Sequence, residues 1–385
     1  MEKINVLDLF CGAGGFSLGL HNAGLRTVAA IELDGFASET FKFNFPKVSL
    51  FQKDIKTFTD NEVKRLFKGI DVVVGGPPCQ GFSVAGPSQY GKIDKRNNLI
   101  LETLRFISLI KPAICVVENV KGILSGKLLN KSSATDVFMK RLRELGYNVD
   151  VKVLQAADFG VPQWRERVLI VGTRKHRDVI IRPKFGGNRK PWRTVGEAIS
   201  DLPMIESSQG IEEIIPYDKE ALTSYQKLMR ENSRGISNHV AMKHTKRLIE
   251  RFKHIACGQS LVHAPSEHGQ RLRNGDAIDA KKRFKMNNQR LLPDKVSLAI
   301  TASFQSNFIH PYVHRNLTAR EGARLQSFPD RFIFKGPRTL MSKTLLKREN
   351  RSDEIGLSQY NQIGNAVPPL MAKSIGEAIL ESLRG

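Results

Sequence analysis

The chain has 385 residues, 41% of them hydrophobic and 25% charged; this excludes disorder throughout and suits about two domains of roughly 150 residues. No apolar run approaches the roughly 20 residues of a membrane span, and the start at Met1 leads straight into a strand-like segment rather than a signal peptide. The net charge is +22, and residues 174–354 carry most of the excess, with 35 Lys and Arg against 19 Asp and Glu, a pattern expected of a surface that faces a polyanion, nucleic acid first, with a solvated basic face as the bland alternative.

Ile4–Phe10 reads as a buried strand, Gly12–Gly15 as a turn, and Phe16–Ala23 as a helix ended by Gly24. Thr27–Glu32 and Asp71–Gly75 are further strands, and Leu99–Ile110 has helical periodicity up to Pro112. Ala113–Glu118 is another buried strand and Phe138–Leu145 a helix, while Val149–Leu154 and Arg167–Thr173 are expected to pair at one sheet edge. Strands apolar on both faces, separated by helices, predict a mostly parallel sheet covered on both sides. After Thr173 the βα rhythm stops. Arg182–Gly187 suits a boundary, residues 185–335 show short helices such as Thr245–His254, residues 338–354 read as a linker or loop, and Gln362–Leu383 is Pro-interrupted and then helical.

Glycines at Gly12, Gly14 and Gly15, where the first strand turns into the first helix, let a ligand approach the backbone. Glu32, about 20 residues later at the end of the second strand, is placed to accept both hydroxyls of a ribose, and Asp54 to accept from an adenine amino group. The run lacks the third glycine of a dinucleotide fingerprint. It fits S-adenosylmethionine better than NAD, because that ligand has adenine and ribose but no pyrophosphate. A glycine turn of this kind is also found as a purely structural feature.

The four cysteines, Cys11, Cys79, Cys115 and Cys257, are too scattered for a disulfide framework or a CxxC metal site, which fits a reducing cytoplasm. Cys79 stands apart. It lies in Gly75–Ser83 (GGPPCQGFS), stiffened by two prolines, after a strand whose carboxyl end is where an open α/β sheet binds ligands. Cys11, Cys115 and Cys257 are expected to be buried and inert. Glu118 ends the next strand at the same rim, and Gln163–Arg167 (QWRER) brings two guanidinium groups just before the last one. His310 and His314 are four apart, but Pro311 interrupts them and no carboxylate cluster accompanies them, so a metal site is not expected.

Asp8–Gly19, Glu32, Asp54, Gly75–Ser83, Glu118–Val120, Gln163–Arg167, Arg315–Asp330 (RNLTAREGARLQSFPD) and Gln362–Pro369 (QIGNAVPP) occur in the order found in the DNA (cytosine-5)-methyltransferases, and the chain resembles that family over nearly its whole length. The resemblance implies a Rossmann-like α/β sheet with helices on both faces and a smaller, irregular target-recognition domain. The catalytic and cofactor-binding domain would comprise residues 1–180 and 355–385, the target-recognition domain 181–337, and a linker 338–354. It further implies methyl transfer from S-adenosylmethionine, leaving S-adenosylhomocysteine, to carbon 5 of a flipped cytosine in double-stranded DNA, without a metal. Cys79 would be the nucleophile, Glu118 would hold N3 and the exocyclic amine, Arg165 would contact the base and position Glu118, and Arg167 would be a more distant support. Phe10, Gly12 and Gly14 would hold the methionine side of the cofactor, Phe16 the adenosine, Glu32 the ribose and Asp54 the adenine, with Pro78, Leu99, Asn365 and Ala366 lining the rest. Asn287, Asn288, Gln289, Arg290, Gln305 and Asn307 are candidates for base readout.

The same resemblance implies a monomer in the bacterial cytoplasm, nucleoid-associated through DNA, with a cognate restriction endonuclease but no stable complex with it. A tRNA-methylating relative is the nearest alternative, but its Cys-Phe-Thr tripeptide is absent. A decayed, non-catalytic DNA-binding protein would not need Cys79, Glu118 and Arg165. An NAD oxidoreductase would leave the basic segment unexplained.

Overall fold

The structure, a computed structural model, describes residues 3–78, 99–125, 134–174, 178–271, 276, 278–279, 287–339, 343–351 and 354–385. They divide into two compact units, one of Met1–Phe159, Arg165–Phe185 and Ala366–Gly385, the other of Gly160–Trp164 and Gly186–Asn365.

The first unit holds the sheet. Its elements are β1 (Asn5–Leu9), α1 (Gly15–Ala23), β2 (Arg26–Glu32), α2 (Gly35–Asn44), β3 (Ser49–Gln52), α3 (Asp60–Leu66), β4 (Val72–Gly75), α4 (Leu99–Ile110), β5 (Ile114–Asn119), α5 (Ala134–Glu144), β6 (Asn148–Gln155) and β7 (Glu166–Thr173), with a C-terminal helix over Pro369–Arg384. The strand order is β3-β2-β1-β4-β5-β7-β6. Neighbours are parallel except where β7 runs against β5 and β6. The order reverses direction between β1 and β4, the switch point beside which an open α/β sheet forms its ligand crevice.

Alternation along β1 explains the two covered faces. Leu7 and Leu9 join Phe58, Phe67, Phe106 and Phe138 in one core, while Asp8 points the other way and meets Ser17 of α1. On that second face α1 packs against the C-terminal helix. A Cβ on Gly19 would lie 2.3 Å from the Cβ of Ala372, and one on Gly376 would lie 2.7 Å from that of Ala23. This close approach draws the last 20 residues back to the sheet.

The second unit has little regular structure. It contains α6 (Val195–Ile199), α7 (Ser224–Arg230), α8 (Lys246–Lys253), α9 (Phe304–Asn307), α10 (Ala319–Leu325), α11 (Lys343–Arg348) and α12 (Gln359–Asn365), with two-residue strands at Gly210–Ile211, His239–Val240, Gln289–Arg290 and Phe308–Ile309. Its centre is α10, buried along its whole length. Thr318 and Glu321 cap it reciprocally, at 3.2 and 2.8 Å, and Gly322 leaves room for the Phe304 ring, which a Cβ would approach to 2.1 Å.

The segmentation differs from that expected. Ile181–Phe185 belong to the sheet unit, and residues 355–365 to the other, because α12 packs on α9 and α10, with a Gly364 Cβ position only 2.2 Å from the Thr301 carbonyl oxygen. The expected linker 338–354 contains α11.

Candidate active site

Parallel pairing brings the carboxyl ends of β1, β2, β3, β4 and β5 to one rim. The reversed β7 starts at that same rim, since Asn119 lies opposite Val168 and Glu118 opposite Leu169. Phe10, Gly12, Glu32, Asp54, Gly75–Pro78, Glu118 and Arg165–Arg167 are thereby gathered from six separate stretches of chain. Cys79 and the rest of its loop to Ser83 lie outside the described residues.

The stem of that loop is fixed against the end of β5. The Asn119 amide donates to the Pro77 carbonyl at 3.0 Å, and a Cβ on Gly76 would lie 3.2 Å from Glu118 Oε2. Glu118 is nearly buried and pairs with Arg167, Nε to Oε1, at 2.8 Å. The direct ion pair is thus made by Arg167, whereas Arg165 was expected to position Glu118 and Arg167 to stand behind it. Arg165 is 3% exposed and donates to the Ala366 carbonyl at 3.2 Å. Burial, and then the like charge of Arg167, push its pKa well below the usual guanidinium range, with Glu118 opposing. Burial lowers Arg167 as well, against the pull of Glu118. Two buried guanidiniums with one carboxylate between them form an environment that favours an electron-rich acceptor.

The glycine turn has the form of a cradle. Phe10, Gly12 and Gly14 have φ of 58°, 54° and 100°, so Phe10 bears the left-handed strain of a non-glycine residue at a sheet rim. A Cβ on Gly12 would meet nothing within 4 Å, whereas one on Gly14 would strike Phe45 at 2.5 Å. The first glycine therefore opens onto space and the second serves packing. Glu32 Oε2 accepts from Gly12 N at 2.8 Å, and Oε1 accepts from Leu33 N and Asp34 N, each at 2.8 Å. These bonds fix the carboxylate and leave one lone pair, on Oε2, open to a hydroxyl. Burial raises the Glu32 pKa, and the backbone bonds counter it in part.

Asp54 sits at the end of its loop, half-buried, and accepts from Lys56 N at 3.0 Å. Leu99 is half-buried at the start of α4, Pro78 is exposed, and Ala366 is half-buried in the sheet unit. Phe16 is 3% exposed and offers little of its ring. Asn365 is exposed at the end of α12 and belongs to the second unit.

Asp8 is a further buried carboxylate, beneath α1, that the sequence did not single out. Its carboxylate accepts from Ser17 Oγ at 2.6 Å, and Ser17 Oγ accepts in turn from Thr27 at 3.2 Å. Burial raises its pKa to about 7, the Ser17 bond opposing and Glu32 adding. The one signal in the sequence is a carboxylate inside an otherwise apolar strand.

Three expectations about the basic segment are corrected. Arg290 is 4% exposed and its guanidinium donates to the carbonyls of Ile255, His310, Val313 and Phe252 at 2.7 to 2.9 Å, so it braces loops and cannot read a base. Arg315, Arg320 and Arg324 are fully buried, which removes them from the basic surface. Cys257 is exposed, unlike Cys11 and Cys115, which are buried as expected. His310 is buried, with Nδ1 accepting from Tyr312 N and Val313 N at 3.1 and 3.3 Å, a structural role. Among the described residues no group of His, Cys, Asp or Glu is arranged to hold a metal, and no helix is long and apolar enough to cross a membrane.

A family model described as C-5 cytosine-specific DNA methylase matches residues 4–381. The Type II methyltransferase M.DdeI of Desulfomicrobium norvegicum is 44% identical over 379 residues, covering 98% of this chain and 88% of its own length. M1.HphI of Haemophilus parahaemolyticus, also a Type II methyltransferase, is 34% identical over 384 residues, covering 98% and 87%. Among solved structures, one described as a DNA modification methyltransferase encoded within an E. coli prophage superposes with a TM-score of 0.75 at 26% identity, covering all of both chains. The S. pombe Dnmt2 methyltransferase shares the fold, with a TM-score of 0.56 at 18% identity over all of both chains.

Proposed function

The chain belongs to the C-5 cytosine-specific DNA methylase family, and from that premise we propose that it methylates carbon 5 of a flipped cytosine in a fixed duplex sequence, through a transient bond between Cys79 and the base. The observation that carries this reading is the meeting of the Gly75–Pro78 stem with Glu118, Arg165 and Arg167 at one rim. Pro78 immediately precedes Cys79 in the chain.

Carbon 5 of cytosine is a weak nucleophile. Addition of the Cys79 thiolate to carbon 6 breaks the 5,6 double bond and makes carbon 5 electron-rich; the thiolate is the reactive form, and nearby cations favour it. Glu118 holds the exocyclic amine and N3, which stabilises charge as it develops on the ring. Arg167 orients Glu118, and Arg165 supplies a buried positive charge beside the base. S-Adenosylmethionine supplies the methyl group as an electrophilic carbon. Once carbon 5 has gained the methyl group, its proton leaves to a base, the double bond re-forms and the thiolate is expelled. Carbon 6 is inaccessible in a stacked duplex, so the base must leave the helix.

The cradle fits that donor. Gly12 opens onto space, Glu32 is held rigidly for the ribose, and Asp54 is available to the adenine, with Pro78, Leu99 and Ala366 of the same unit to line the rest. Target recognition falls to the second unit, with Asn287, Asn288, Gln289, Gln305 and Asn307 as readout candidates. Relatives named Type II methyltransferases support a role in a bacterial restriction–modification system, alongside an endonuclease that cuts the same sequence.

Bisulfite sequencing of DNA from bacteria that produce the protein is expected to show methylated cytosines in one short context. Cys79→Ala should abolish them while calorimetry still detects S-adenosylmethionine binding. Methylation by pure Cys79→Ala protein would overturn the covalent mechanism.

A further inference from the structure

The pairing of Gln289–Arg290 with Phe308–Ile309 lays residues 287–289 alongside α9, so readout candidates from two stretches of chain meet in one place of the second unit. That place is rigid. The Phe304 ring of α9 lies over Gly322 and 5.0 Å from the Tyr360 ring. Asn361 donates to the Ala302 carbonyl at 2.9 Å, and Asn288 donates to the Ser306 carbonyl through both its backbone and its side-chain nitrogen, at 3.3 and 3.1 Å. Phe304 is buried, Ser303 and Ser306 are exposed, and Gln305 is half-buried among them.

The candidates differ in what their amides already do. Asn288 donates to Ser306 and accepts from Arg251 at 3.5 Å. Asn307 donates to Thr301 Oγ1 at 3.3 Å and accepts from Ser306 Oγ at 3.5 Å. Gln305 is the contrary case, because its Oε1 is enclosed and has no hydrogen-bond partner among the described residues. Asn287 and Gln289 carry no such deficit. A buried acceptor without a donor is unfavourable, so turning the Gln305 amide outward gives up no bond to Oε1 and gains one wherever a donor waits.

We infer that Gln305 reads an adenine of the target sequence, an assignment that rests on the DNA-methylating function proposed above. In the major groove the base edges offer donors only at adenine N6 and cytosine N4, while guanine and thymine present acceptors. An acceptor that lacks a donor therefore selects adenine or cytosine. The same amide carries N–H groups that need an acceptor beside that donor. Adenine has one in N7 and cytosine has none. Oε1 accepts from N6 while Nε2 donates to N7, and the anchored stretch from Thr301 to Asn307 holds the amide for that geometry.

The test is bisulfite sequencing of a pool of duplexes, randomised around one cytosine and treated with purified protein and S-adenosylmethionine. The wild type should require an A·T pair at one fixed position. Gln305→Leu keeps the bulk and removes the amide. It should raise methylation of the other pairs relative to A·T by about tenfold to a hundredfold, at that position alone. Gln305→Glu, which can only accept, should move the preference there toward C·G. A wild-type context without a required A·T pair, a Gln305→Leu variant that keeps the wild-type context, or a loss of methylation uniform across contexts in both variants would each overturn the inference and leave cytosine methylation standing. A wild type that methylates no cytosine would overturn the proposed function, and the inference with it.

Discussion

Arg165 and Arg167 of the sheet unit both feel the charge of Glu118, and burial outweighs it, whereas the buried arginines around α10 sit in dense ion networks. Arg315 grips Glu321 with two bonds of 2.8 and 2.7 Å and gives its remaining donors to the Ile205 and Asn316 carbonyls. Arg324 meets both oxygens of Asp330 at 2.6 Å, and Asp201 and the Ala198 carbonyl as well. The shifts follow suit. Burial works against Arg324, yet Asp330 and Asp201 raise its pKa; burial works against Glu321, yet Arg315 and His310 hold it well below the usual carboxylate range. At the sheet rim burial prevails and both guanidiniums fall. A saturated ion network is a structural device, whereas buried guanidiniums whose pKa burial drives down at a sheet rim suit a functional site.

The contrast breaks most sharply at Glu118. Glu118→Gln keeps the shape and removes the charge, so single-turnover methylation should fall about 10²- to 10⁴-fold with only a small change in melting temperature. Activity within tenfold of wild type would remove Glu118 from the chemistry. Arg324→Met should do the reverse. It strips a buried network of its cation, costs about 3–5 kcal/mol in denaturant titrations, and reduces activity only through loss of folded protein. A neutral result would mean the network contributes little to stability. Asp8 sharpens the comparison from the other side, because it is a buried carboxylate that pairs with no cation among the described residues. Its folded pKa of about 7 exceeds the ordinary carboxyl value of 3.8, so the folded state binds its proton more tightly. The associated stability is full below about pH 4 and is lost as pH rises through 7, roughly 4 kcal/mol in all. Asp8→Asn should flatten that slope in urea titrations between pH 4 and 8; an unchanged slope would assign it to other groups.

The sheet unit was legible because its signals are local. A strand apolar on both faces such as Val72–Gly75, or a helix closed by a glycine such as Gly24 at φ 98°, declares itself within a few residues. Leu99–Ile110 is a helix over the very residues its periodicity predicts. The second unit was opaque because its central helix, Ala319–Leu325, buries Arg320 and Arg324, which read as surface residues unless their partners are known. Asp201 lies more than a hundred residues from Arg324, and no spacing rule links them.

By itself the sequence determined the sheet, the glycine turn and the order of the motifs, since each depends on backbone propensity and hydrophobic period over a short stretch. Tertiary structure alone decided that Arg167 grips Glu118, that Arg290 is bound up in carbonyls, and that residues 359–365 leave the sheet unit. Those outcomes turn on which charges and close-packed surfaces meet after the chain has folded, and such meetings are set by distance in space.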